Sequence, residues 1–172
     1  GDGMASVITV MDDHTYTYSK MRMSGVDLHI VFEYGARLNI EAESGSNVFY
    51  RMHLNITATS AKAYISTGSA YFEGVHGTMN NIGFLGRVHL PNDCHIAFTN
   101  CRFTAANDFA LQASLSRVFL RGSNTLEDTN TGATTCFEID QSFLSLDGSL
   151  TVNKANAVDG SVLIRLNGSQ AE

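Results

Sequence analysis

Val-Phe-Leu-Arg-Gly-Ser (118–123), Leu-Ser-Leu-Asp-Gly-Ser (144–149) and Ile-Arg-Leu-Asn-Gly-Ser (164–169) are three statements of one phrase: apolar, variable, Leu, variable, Gly, Ser. Their glycines, Gly122, Gly148 and Gly168, recur at spacings inside the range of about 20–45 residues that structural repeats occupy. A recurrence at this period is the mark of a solenoid, in which each coil buries its apolar side only when a neighbour stacks on it. Working backward, Ile96, Phe98 and Asn100 repeat the frame one period before Gly122. Asn stands there in place of Gly, and Asn is the residue that next best accepts the left-handed conformation. The phrase predicts a register in which Gly122, Gly148 and Gly168 form one corner column with Leu120, Leu146 and Leu166 beneath it. In that register Phe119, Ser145 and Arg165 form one outward file, and Arg121 and Asp147 are neighbours on adjacent coils.

The texture is the same upstream. Segments such as Ser-Val-Ile-Thr-Val-Met (6–11), Thr-Tyr-Thr-Tyr (15–18), Val-Asp-Leu-His-Ile-Val-Phe-Glu-Tyr (26–34) and Ala-Arg-Leu-Asn-Ile-Glu-Ala (36–42) alternate with period two, and several stop at Gly or Ser. Such alternation, rich in β-branched and aromatic residues, favours strands over helices. The stretch 107–121 also fits a capped amphipathic helix, with Asn107 or Asp108 as N-cap. Strand is favoured, because Phe-Ala-Leu (109–111) is echoed by Phe-Glu-Ile (137–139) among poor helix formers.

Composition agrees with strands and corners. Of 172 residues 44% are hydrophobic, enough for one core, and only 16% are charged, fewer than a helical bundle carries. The expected fold is all-β, a single-domain parallel β-helix, or solenoid, of about seven or eight coils over 1–172, with 1–25 as a cap region and 26–172 as stacked coils. A net charge of −6 argues against non-specific nucleic-acid binding, which depends on Lys and Arg neutralising phosphates. No apolar run reaches the length of a membrane span, no signal-peptide pattern opens the chain, and no membrane insertion is expected. Cys94, Cys101 and Cys136 are an odd set without CxxC spacing, which reads as buried thiols.

Two places resemble a known group: His14 to Leu38, where a Thr-Tyr strand leads into an apolar strand and a Gly-Ala corner, and Thr-Asn-Cys-Arg-Phe-Thr (99–104) with the Gly-Ser coils after it. They resemble the right-handed parallel β-helix proteins that include pectin-lyase-like enzymes and bacteriophage tailspikes and tail fibres. Because coils fill nearly the whole length, the resemblance implies the tail-fibre branch. It implies a non-enzymatic structural and receptor-binding module in the virion tail, with a secreted or cell-surface protein as runner-up. The implied partners are a bacterial surface polysaccharide, other tail proteins and two more copies of the chain in a homotrimer. An open-ended stack also pairs with other chains unless capped, which suits a trimer or a larger parent protein.

The alternative is a small carbohydrate-active enzyme, a polysaccharide hydrolase or lyase using paired carboxylates. Glu41 with Glu43 and Glu138 with Asp140 are the candidates, since residues i and i+2 of a strand share a face about 6.5 Å apart. Glycoside hydrolysis uses two carboxyls at about 5–10 Å. An acidic protein also carries such pairs simply as a solvated face. For carbohydrate contact the candidates are Tyr64, Tyr71 and Phe72, which interleave with small polar residues as suits stacking on sugar rings. Aromatics at alternating strand positions equally serve a core. The six histidines show no metal-ligand spacing; His89, Cys94 and His95 are the only clustered donors, and neither metal nor cofactor is expected.

Overall fold

The computed structural model describes residues 6–11, 15–19, 23–25, 27–41, 49–105, 109–129, 135–154 and 162–172. It is a parallel β-solenoid: among the described residues every strand pairs in parallel with its neighbours, and no helix forms. Within the stretch 107–121 the described residues form no helix; they form the strand Leu111–Ser114, a corner, and the start of the strand Arg117–Asp128.

The chain winds through three faces. On the first face Ser6–Val10, Asp27–Phe32, 53–58, 76–80, His95–Thr99, 117–121, 143–147 and Gln170–Ala171 stack in order. The second stacks Thr15–Ser19, Arg37–Glu41, 64–67, 83–85, Arg102–Ala105, 125–128 and 151–154. The third stacks Met23–Ser24, 49–50, 69–73, 87–90, Leu111–Ser114, Thr135–Asp140 and Val162–Asn167. Five coils, 53–73, 76–90, 95–114, 117–140 and 143–167, have three substantial strands. The two before them offer the third face only short pairings, so fully three-sided turns are somewhat fewer than the seven or eight expected. Strands within 1–25 already belong to the same ladders.

Alternation sends one file of each strand inward. On the first face Leu28, Leu54, Ile96, Val118 and Leu144 are buried, as are Ile30, Ile56, Met79, Phe98 and Leu120. Phe84, Phe98, Phe103 and Phe137 form a contiguous aromatic core, with ring centroids 5.2–5.7 Å apart. Each fully buried ring or branched side chain removed from water contributes about 1.5–3 kcal/mol. Stacking is what delivers that burial. Leu120 is 1% exposed, whereas Leu146, one coil later in the same file with little above it, is 44% exposed.

The register corrects one expectation. Gly122 does face Gly148, with Leu120 opposite Leu146 and Arg121 opposite Asp147. Gly168 does not join them: Ile164 and Leu166 pair with Phe137 and Ile139, on the third face. The stretch from Gly148 to Gly168 is shorter than that from Gly122 to Gly148 and covers only two faces of a coil, so the last phrase ends at a different corner. Arg165 accordingly lies 3.5 Å from Glu138, and not in file with Phe119. The echo between 109 and 137 is offset too, because Leu111, not Phe109, stands opposite Phe137.

The corner between the third and first faces is built by single residues in the left-handed region: Gly25, Arg51, Gly74, Asp93, Leu115, Gln141 and Gly168. Four of these carry side chains, although a left-handed residue costs about 1–2 kcal/mol when it is not glycine. Along the later coils the turn is held because the next residue is hydrogen-bonded to the adjacent coil. Ser116 Oγ accepts from Cys94 N at 3.1 Å, Ser142 Oγ from Ser116 N at 2.9 Å, and Ser169 Oγ from Ser142 N at 3.1 Å. Each hydroxyl also donates to a strand carbonyl, Leu90 or Ser114 for Ser116, Asp140 for Ser142, and Ile139 or Asn167 for Ser169.

Candidate functional site

A groove follows this corner along the solenoid. One part, about 590 Å³, is lined by His76, Asp93, His95, Leu115, Arg117, Gln141, Phe143 and Gln170 among others. A second part of about 450 Å³ continues it past Arg51, His53, Glu73 and Asn92, and the two share His76 and Asp93.

One wall of the groove is the outermost file of the first face, where Asp27, His53, His76, His95, Arg117 and Phe143 stand in strict register. The cause is local. Each begins a strand frame in which the next residue and the third beyond it turn inward, as in His53-Leu54-Asn55-Ile56 and His95-Ile96-Ala97-Phe98, so the leading side chain must face out. Gly77 fills the inward place after His76 because a Cβ there would run into the Leu54 carbonyl.

The rings are close. The His53 and His76 centroids are 5.8 Å apart, His76 and His95 6.0 Å, and His95 stacks on Phe119 at 5.0 Å. Phe119, beside the wall on the same face, in turn meets Phe143 at 5.8 Å. His76 Nε2 lies 3.1 Å from the Asp93 carbonyl and 3.9 Å from its carboxylate. Partial loss of solvation, then the nearby His76, Arg117 and Arg121, hold the His95 pKa below the ordinary histidine value.

The residues singled out by sequence fall elsewhere. Glu138 and Asp140 share the outward side of the third face, where Glu138 accepts from Gln112 Nε2 at 2.8 Å and pairs with Arg165. Neither lines the groove. Glu43 and the side chains of Glu41 and Tyr71 lie outside the described residues; the backbone of Glu41 ends a second-face strand, and that of Tyr71 pairs with His89. Phe72 is 1% exposed and stacked on Phe49 at 5.0 Å, which makes it a core ring. Tyr64 is half-buried on the second face, with the Arg37 guanidinium 4.8 Å over its ring. His89, Cys94 and His95 disperse: Cys94 is buried and aimed at the Phe72 carbonyl, while the two histidines sit on different faces. Among the described residues no three His, Cys, Asp or Glu side chains are placed to hold a metal ion.

Sequence reasoning missed the histidine column because its members are unevenly spaced and match no motif. Its signal was the shared frame, a polar residue before an inward-facing pair.

Comparison with known protein families, curated proteins and solved structures finds no match.

Proposed function

We propose that the chain is a non-enzymatic structural and receptor-binding module of a phage tail fibre or tailspike, which holds a bacterial surface polysaccharide along its lateral corner groove. The observation that carries the glycan-binding part is the groove's extent: it runs past successive corners, from Arg51 to Gln170. A trench of that form accepts a chain better than a compact metabolite. Its walls offer an aromatic face at Phe143, and donors or acceptors at His76, Asp93, Gln141 and Gln170, the mixture that recognises sugars. The tail-fibre setting and the homotrimer rest on the sequence resemblance.

A hydrolase or lyase has less support, since Glu138 is engaged by Gln112 and Arg165 and stands away from the groove. A glycan array combined with a depolymerisation assay tests the reading. Retention of a polysaccharide without shortening is expected, together with its loss in Phe143→Ala. Cleavage that disappears in Glu138→Gln would replace the module with an enzyme. Light scattering checks the assembly, for which the expected mass is three chains.

A further inference from the structure

We infer that the His53–His76–His95 column takes an acidic polysaccharide, a polymer carrying carboxylates along its length, and grips it more tightly as pH falls. The inference rests on the glycan-binding reading above and adds to it the charge class of the ligand and the control of binding.

Spacing is the first support. Parallel in-register strands repeat about every 4.8 Å, so the three imidazoles offer one cationic position per coil once protonated. A sugar chain lying along the groove repeats its own carboxylates on a similar scale, and such carboxylates stay ionised at about pH 5. The charges around the column set its neutral state. Arg51 and Arg117 face it from the corner and from the next coil, and Glu73 and Asp93 oppose them. Asp27 heads the file, and Arg121 lies two outward positions along from Arg117. At neutral pH two guanidiniums are thus set against two groove carboxylates. Protonation of three histidines turns a balanced groove into a cationic one on a molecule whose net charge is −6.

The same geometry sets the protons against one another. His76 has His53 and His95 as neighbours at 5.8 and 6.0 Å, so positive charge carried by the column is closely spaced and self-repelling. The His95 pKa is lowered first by burial and then by His76, Arg117 and Arg121. A polyanion laid across the rings offsets that repulsion, and binding must therefore take up protons. Phe143, which continues the wall beyond Arg117, gives the sugar rings an apolar face to rest on.

The test uses a fluorescent oligogalacturonate and a neutral dextran of similar length, titrated at about pH 5 and about pH 8 in about 0.1 M salt. The acidic probe is expected to bind about tenfold or more tightly at the lower pH, the summed effect of three exposed charge contacts. That gain should vanish in the triple variant His53→Gln, His76→Gln, His95→Gln, while Arg117→Gln weakens binding at both pH values. Since the triple variant carries the other three histidines unchanged, it separates the column from a general change in protein charge. Should that variant fail to fold, calorimetry of the unaltered protein in two buffers of different ionisation enthalpy reads the proton uptake directly. An acidic probe whose affinity ignores pH, or binding with no proton uptake, overturns the inference. Neutral glycans bound in place of the acidic probe would overturn it while leaving the module intact; a protein that binds no glycan at all would sink the underlying reading.

Discussion

Gly148 sits against Gly122 so closely that a Cβ built on it would strike the Gly122 carbonyl oxygen, carbon and nitrogen, all of them backbone atoms with no room to give. Gly168 also has positive φ, but its nearest neighbour would be the flexible Gln141 Cγ at 3.8 Å. Two glycines of one sequence phrase therefore do different work. Gly148→Ala is expected to lower the unfolding free energy by about 2–4 kcal/mol, from backbone displacement plus conformational strain. Gly168→Ala should cost about 1 kcal/mol, since a neighbouring coil already holds Gln141 in the same conformation. Urea denaturation of both variants decides it, and equal losses would mean that the two corners are not distinct. The residues of the phrase were legible in the sequence as corner formers; which corner each one forms was not, because Gly and Ser suit either.

Among the elements, the corner between the third and first faces is the most consequential, since it both turns the chain and floors the groove. Its rungs, Cys94, Ser116, Ser142 and Ser169, pass hydrogen bonds from coil to coil. Ser116→Ala would leave the buried Cys94 N–H without its acceptor, a loss of about 1–3 kcal/mol. Ser169→Ala should cost less, about 1 kcal/mol, because the hydrogen bond it accepts from Ser142 N is only part-buried and water can replace the hydroxyl. Thermal melts of the two variants should differ in that order; the reverse order would place the rungs' burial wrongly. Strand alternation was readable along nearly the whole chain, and it correctly favoured strand over helix at 111–121. The rung was not readable, for Leu115-Ser116, Gln141-Ser142 and Gly168-Ser169 share only a serine after three unlike residues.

For the whole molecule, stability depends on pH at both ends of the scale. Burial pushes the Cys101 thiol up to about 12, and burial likewise raises Cys94. The unfolded chain then gives up these protons first as pH climbs past about 9, so stability present below that point is lost from there toward pH 12. At the acid end, His95 and His89 are held below the ordinary value of 6.5, each by burial first and then by neighbouring cations. The unfolded chain takes up protons first, and stability falls as pH drops below about 6.5. Melting temperature against pH should therefore show a plateau between these limits, with declines on both sides. A melting temperature that climbs above about pH 9 would contradict the burial of the thiols. Native Cys101 should also resist alkylation at about pH 8 and react on unfolding.

By itself the sequence determined the class of the fold. Alternation at period two makes strands, recurring Gly, Asn and Ser make corners, and apolar files that no single coil can bury make stacking obligatory. It also marked the inward partners, such as Ile96 with Val118 and Phe98 with Leu120. The tertiary structure alone decided which residues meet across coils. Successive rungs of the first face start at Asp27, His53, His76, His95, Arg117 and Phe143, at unequal intervals of which the one from His76 to His95 is the shortest. Loop lengths vary freely at the corners, so register is set by backbone hydrogen bonding and by the fit of inward side chains, not by counting. That is why three histidines scattered in sequence become one column, why Phe72 turns inward, and why the last Gly-Ser phrase leaves its apparent partners for another corner.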